Sequence, residues 1–221
     1  MLKIYVNGLS GKMGSSLLNQ VSHMENISIV EAISDCEVVI DFSRPESSLE
    51  IVKKCLENKK PIVIGTTGFN NDQIQIIKKA ARDIPVLLSY NMSKGIYSLK
   101  KSIRDFLSNN KDMYECIIFE VHHKEKIDSP SGTAIELKEI IENHDKGNFV
   151  SSIKIESERI SNINGIHKIK FYNDKDLVTF KHEALSRNIF SDGALLIAQS
   201  IIKKEPNLYS TKDFFNKNYF K

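Results

Sequence analysis

The stretch Ile4-Tyr5-Val6-Asn7-Gly8-Leu9-Ser10-Gly11-Lys12-Met13-Gly14 decides the fold. Its apolar start predicts a short strand, its glycines a tight turn, and Leu17, Leu18 and Val21 beyond it a helix. A strand passed directly to a helix is the first step of a βαβ unit. The pattern then repeats. Residues 27–33 read as a second strand and 37–42 as a third. A helix over 45–58 follows, with Pro45 in its first turn, where proline is tolerated. Residues 61–65 form the fourth strand, 71–82 a helix with Ile74, Ile77 and Ala81 on one face, and 85–88 the fifth strand. Strands alternating with helices in this way imply an α/β domain over residues 1–93, with a doubly wound parallel sheet.

Beyond residue 93 the pattern changes. A helix carrying Ile96, Leu99, Ile103 and Phe106 leads to a strand over 116–121, a polar cluster and a further helix. Residues 152–158, 166–172 and 177–183 then read as strands, the last two joined at Asn173-Asp174-Lys175-Asp176. Strands with so little helix between them predict a second α+β domain with a mixed or antiparallel sheet. That domain is expected to span 94–204, closed by a helix over 192–204, and the tail 205–221 to pack back on the first.

The chain has 221 residues, enough for one or two domains with full cores. A formal charge of +3 gives no nucleic-acid footprint. Cys36, Cys55 and Cys116 are odd in number and lie in or beside apolar runs, so no disulfide framework or metal spacing follows. The run 2–6 is too short for a signal h-region or a membrane span. The expectation is a soluble cytoplasmic protein with no membrane partner.

The most informative chemistry lies in Val121-His122-His123-Lys124-Glu125-Lys126-Ile127-Asp128-Ser129-Pro130-Ser131-Gly132-Thr133-Ala134. The cluster follows the apolar run 116–119, so it sits where a buried strand ends. It finishes in Ser-Gly-Thr before a periodic run, which is a helix start with backbone N–H groups free for an anion. Histidine can move a proton near neutral pH, and a nearby lysine can stabilise developing negative charge or donate too. Paired histidines also suit a metal. The sequence offers no third ligand beside them and lysines repel a cation, so no metal is expected.

The loop 8–14 is the second candidate site. Its glycines let the backbone approach a pyrophosphate at a helix N-terminus, as in a Rossmann-type fold. The spacing is GxxGxxG, with Ser10 where a dinucleotide fingerprint often has its middle glycine. About twenty residues on, Ser34 and Asp35 are expected at the end of the second strand, where an acid accepts hydrogen bonds from ribose hydroxyls and favours NADH. Lys12 and Arg44 could instead attract a 2′-phosphate and favour NADPH. Gly65-Thr66-Thr67-Gly68 and Ser89-Tyr90-Asn91-Met92-Ser93 close the fourth and fifth strands with small polar residues suited to a nicotinamide.

Taken in order, GLSGKMG, VIDFSRPE, GTTG, YNMSKG and HHKEKIDSPSGTA resemble the dihydrodipicolinate reductase family through nearly the whole chain. Arg159, the Gly165-Ile166-His167 step, residues 182–187 and residues 190–194 look like its later elements. The resemblance implies an NADPH- or NADH-dependent oxidoreductase of lysine and diaminopimelate biosynthesis, acting on a small cyclic dicarboxylate. It implies a Rossmann-type domain, a substrate domain with a mixed sheet, and a homotetramer. His122 and Lys126 would be catalytic, and His123, Ser131, Gly132 and Thr133 would bind substrate. The cofactor would touch Gly8, Leu9, Ser10, Gly11, Lys12, Met13, Asp35, Gly65, Thr66, Thr67, Ser89, Tyr90, Asn91 and Met92. The chain departs from the family's usual pattern at Lys12, where arginine is common, at Tyr90 and Met92, at Ser161, where glycine is expected, and in the short link between its second and third strands. A catalytically silent dinucleotide sensor and another two-domain Rossmann dehydrogenase are the alternatives, and the intact proton-donor cluster weighs against the sensor.

Overall fold

Runs of three to six mostly apolar residues become parallel strands in the computed structural model, which describes residues 1–160 and 162–215. These are β1 (Leu2–Asn7), β2 (Ile27–Ile29), β3 (Val38–Asp41), β4 (Ile62–Ile64), β5 (Pro85–Leu88) and, last in the chain, β10 (Asn207–Tyr209). Their order in the sheet is β10-β5-β4-β3-β1-β2, with every pairing parallel. The connections are α1 (Lys12–Val21), α2 (Pro45–Glu57) and α3 (Asn71–Ala80). Asn70 and Gln73 form a reciprocal capping box at the start of α3.

β3 and β4 are buried at every position, so helices must cover both faces. Val39, Ile62 and Ile64 pack with Ile51, Val52 and Cys55 of α2 and Ile77 and Ala80 of α3. Alternate positions such as Val38, Ile40 and Val63 point the other way. There α6 (Asn188–Ile201) lies along β3, β4 and β5 and against α1. This corrects the expected placement of that helix in the second domain. Contacts group the chain from Arg187 onward with Met1–Ser93, and leave Lys94–Ser186 as the second unit. The physical reason is the sheet's second face. The apolar side of α6, with Ala194, Leu195, Ile197, Ala198 and Ile201 buried, fills what α1 alone leaves bare. The fit is close, for a Cβ on Gly193 would stand 1.8 Å from the Met92 carbonyl oxygen. The tail follows, with β10 pairing with β5 and Phe214 and Phe215 buried. Residues 216–221 and Ser161 lie outside the described residues.

The second unit is built from α4 (Lys94–Asn109), β6 (Tyr114–His122), α5 (Gly132–His144), β7 (Val150–Arg159), β8 (Ile166–Tyr172) and β9 (Leu177–Glu183). Its sheet has the order β7-β6-β8-β9. β6 runs parallel to β7 and antiparallel to β8, and β9 pairs antiparallel with β8, so the sheet is mixed. A helical crossover, α5, joins the parallel pair, and an Asn173–Asp176 turn joins the β8–β9 hairpin. Ile96, Leu99 and Ile103 of α4 and Leu137, Ile140 and Ile141 of α5 pack over Cys116, Ile118, Ile169 and Phe171 on one face.

Candidate active site

In an open parallel sheet, ligands bind beyond the strands' C-terminal ends where the strand order reverses. In the first unit that point lies between β1 and β3. Gly8 has φ +89°, and a Cβ on it would lie 2.4 Å from the Phe42 carbonyl oxygen. A Cβ on Gly14 would lie 2.2 Å from the Gly8 oxygen. Only glycine fits at either position. The Gly11 N–H donates to the Gly8 oxygen at 3.0 Å, and α1 begins after Gly11 with no side-chain cap. The helix start is therefore fronted by bare glycine backbone, a cradle that fits a dinucleotide pyrophosphate. Leu9, Ser10 and Lys12 lie exposed around it, and Met13 is half-buried.

Behind this loop is a carboxylate that the sequence does not advertise. Asp41 ends β3 fully buried. Asn7 Nδ2 and Ser43 Oγ donate to its Oδ1 at 2.9 and 2.6 Å, Thr66 Oγ1 donates to Oδ2 at 3.1 Å, and Ser48 Oγ also donates to Oδ2. The ends of β1, β3 and β4 are thus stitched together. Thr66 also accepts the Ser43 N–H at 3.0 Å, so its hydroxyl serves this framework. After β5, Ser89 Oγ donates to the Asn91 carbonyl at 2.9 Å and the Ser93 N–H donates to Asn91 Oδ1 at 2.9 Å, while Met92 is buried. Gly65, Thr67 and Tyr90 are half-buried, and a Cβ on Gly65 would strike the Phe42 ring. Asp35 departs from its expected place. β2 stops at Ile29, and Asp35 lies in an exposed 3-10 turn over Ile33–Asp35, accepting from Ser34 Oγ at 3.0 Å.

In the second unit, Cys116 and Ile118 face the core, and the strand period of two puts Glu120 and His122 on the same face. Pairing sets His167 of β8 opposite Glu120 and Arg159 of β7 opposite His122. Glu120 is fully buried. Its Oε1 accepts the Ser131 N–H at 3.0 Å and Arg159 Nη2 at 3.1 Å. Its Oε2 lies 2.7 Å from His122 Nδ1 and 4.0 Å from His167 Nε2. The 2.7 Å approach is off the N–H axis, making it an ion-pair contact rather than an aligned hydrogen bond. Burial opposes charge on Glu120, but His122, Ser131 and Ser157 outweigh it and hold the carboxyl well below the usual range. His167 is pulled down to about 3, first by burial and then by the facing His122, and is neutral.

The neighbouring loop is tied to this carboxylate. Arg159 Nη2 also donates to the Asp128 carbonyl at 2.6 Å. Within the loop, the Lys126 N–H donates to the His123 carbonyl at 3.1 Å and Lys126 Nζ pairs with Asp128 Oδ1 at 2.7 Å. Ser131 is buried and caps α5 by accepting the Ala134 N–H at 3.2 Å, while its own N–H goes to Glu120. Thr133 is buried in the same turn, and Gly132 and His123 are half-buried. On the far edge of His122, a Cβ on Gly165 would lie 3.1 Å from Nε2. Glycine there keeps that nitrogen's surroundings open.

Glu120 is the residue that sequence reasoning missed, and Arg159 and His167 were matched to the family without a role. One signal was legible, since Glu120 interrupts an apolar alternation on the buried face of β6. The fold also corrects the search for a third ligand near the paired histidines. Ligand atoms of Glu120, His122 and His167 lie within 4.8 Å of one another. Arg159 already neutralises that carboxylate, and Lys126 adds positive charge to the His167 environment. Proton handling suits this charge balance better than a cation does.

A Rossmann-type unit and a second unit with histidine and lysine at a strand end define a two-unit, dinucleotide-dependent oxidoreductase. Residues 28–92 match the family described as "Dihydrodipicolinate reductase, N-terminus", and residues 95–215 match "Dihydrodipicolinate reductase, C-terminus". The chain belongs to the dihydrodipicolinate reductase family, whose enzymes use NAD(P)H. It is 35% identical to the 4-hydroxy-tetrahydrodipicolinate reductase of Rickettsia bellii, over 97% of this chain and 95% of the relative. It is 38% identical to that of Buchnera aphidicola subsp. Cinara cedri, over 88% of this chain and 77% of the relative. In fold it resembles the dipicolinate-bound dihydrodipicolinate reductase of Paenisporosarcina sp. TG-14, with a TM-score of 0.73 at 21% identity, covering 96% of this chain and 98% of that one.

Proposed function

We propose that the chain reduces the ring of a cyclic, unsaturated dicarboxylate to tetrahydrodipicolinate, with the first unit holding NADPH or NADH and the unit Lys94–Ser186 holding the substrate. The observation that carries this reading is that His122, Ser131 at the start of α5 and, through Asp128 and Arg159, Lys126 are all tied to the one carboxylate of Glu120. Bound at the glycine loop, the reduced nicotinamide supplies the hydride. Hydride addition to a conjugated imine leaves an electron pair on the ring that a proton must meet. His122 delivers that proton from Nε2, the edge facing Gly165, while Nδ1 faces Glu120. Lys126, held by Asp128, stabilises the developing charge and acts as a second donor. The substrate carboxylates meet His123, Gly132 and Thr133 at the start of α5, where the helix dipole favours an anion. Ser131 supports that turn from behind.

The test is loss of reduced-nicotinamide absorbance on adding the cyclic substrate. His122→Ala and Lys126→Ala should each lower kcat about 100-fold or more, in the range of lost acid catalysis, with dinucleotide affinity nearly unchanged. Near wild-type turnover in both variants would refute the assignment.

The reading extends to a cytoplasmic homotetramer. Three buried free cysteines suit a reducing compartment, and among the described residues no helix is long and apolar enough to cross a membrane. On the sheet face of the second unit opposite α4 and α5, β6 presents Ile117 and Phe119 and β9 the exposed Leu177. A second copy covering that face would bury them. Light scattering should return four chain masses, and a monomer would refute the assembly.

A further inference from the structure

We propose that Glu120 is a positioning residue that holds the His122 ring in its proton-donating orientation. This rests on His122 being the proton donor and adds the group behind it. Four observations support it. Glu120 is fully buried on a strand face that Cys116 and Ile118 otherwise make apolar up to His122, where a carboxylate is costly without a purpose. Its Oε1 is locked by the Ser131 N–H and Arg159, so the carboxylate cannot swing away. That leaves Oε2 beside His122 Nδ1, 2.7 Å away. The opposite ring nitrogen is the one left beside Gly165. A carboxylate held behind one ring nitrogen fixes the ring's orientation and which edge presents the proton. Arg159 then has a double task, keeping Glu120 anionic and tying Asp128, the partner of Lys126, to the same carboxylate. One buried charge thereby sets both proposed donors.

The charged and titratable groups of this cluster come from every strand of the sheet. Glu120 on β6, Arg159 on β7 and His167 on β8 meet at His122 or its carboxylate partner, while His182 on β9 and Lys126, paired with Asp128, act on His167. Burial lowers the pKa of both His167 and His182. Glu120 is the group of opposite charge closest to the ring.

The test is a double-mutant cycle on the full-length protein, read as kcat and KM. Glu120→Gln keeps the shape and an acceptor for Ser131 but removes the charge. It should lower kcat about 100-fold and leave KM for the dicarboxylate within about threefold. Added to His122→Ala, it should cost less than about threefold more, because it acts through that ring. Glu120→Asp, which keeps the charge with a shorter reach, should recover part of the lost kcat. Circular dichroism melts of each variant monitor folding, and if Glu120→Gln does not fold, the Glu120→Asp cycle is read instead. Multiplicative losses in the double variant, or a loss carried by KM rather than kcat, would overturn the proposal. If His122→Ala is itself as fast as wild type, the donor assignment falls. A slow His122→Ala beside a fast Glu120→Gln removes Glu120 alone.

Discussion

Asp41 and Glu120 are both fully buried carboxylates at strand ends, and they differ in the company they keep. Asp41 accepts from Asn7, Ser43, Ser48 and Thr66, all neutral. Glu120 faces His122, Arg159 and, at longer range, His167. Neutral donors cannot change charge, so the Asp41 cluster is a frame. It fixes three strand ends behind the glycine loop. Partners that carry or exchange protons make the Glu120 cluster a place where charge can be moved. On the proposed reading, the first unit binds through its backbone and the second acts through its side chains.

The largest effect that sharpens this contrast is on the frame. Asp41→Ala would take a buried acceptor from four donors, two of them, Ser48 and Thr66, buried, and should cost roughly 3 kcal/mol of stability. Dinucleotide affinity should fall with it, while kcat at saturating dinucleotide stays near wild type. Denaturant melts beside titrations check this, and an unchanged melt would remove Asp41 from the frame.

A smaller effect separates the units by pH. The pKa of His167 is lowered in the fold to about 3 from 6.5, so the unfolded chain takes up the proton first. Its contribution to stability is full above pH 6.5 and is lost progressively as pH falls from there towards 3. By pH 5 the loss should be roughly 2 kcal/mol, and His167→Gln should abolish that part of the slope. Glu120, also lowered, adds its own loss only as pH falls below the ordinary carboxylate value of 4.5. Equal slopes for wild type and His167→Gln between pH 7 and 5 would break the contrast.

The smallest effect concerns cofactor choice. On the proposal that Asp35 and Lys12 flank the adenosine ribose, the acid disfavours a 2′-phosphate and the lysine favours one without arginine's bidentate fork. NADH and NADPH should differ by tenfold or less in kcat/KM, about 1.4 kcal/mol. Asp35→Ala should shift the ratio towards NADPH and Lys12→Ala towards NADH. A thousandfold wild-type preference would show that neither side chain frames the ribose.

The sequence made the first unit legible because local signals carried it. Gly8 and Gly14 sit where no Cβ fits, and β5 falls on its expected residues, as do β8 and β9 of the second unit. What stayed hidden depends on contacts distant in sequence. α6 returns to the first sheet from nearly a hundred residues beyond β5, and amphipathic spacing does not say which face a helix will cover. Glu120 gains its meaning from Arg159 and His167, which reach it only through strand register. The Ser-Gly-Thr step reads as an open anion site, whereas the fold commits the Ser131 N–H to Glu120.

The proposed reaction takes hydride from a dinucleotide held by the first unit and the balancing proton from the second unit's charged strand end. Isotope transfer tests it most directly. NADPH deuterated at either transferable position of the nicotinamide should label the product from one stereoisomer only. Unlabelled NADPH in heavy water should place solvent deuterium on the neighbouring ring carbon, at a rate that falls in His122→Ala. Product free of dinucleotide-derived deuterium with both stereoisomers would contradict the account.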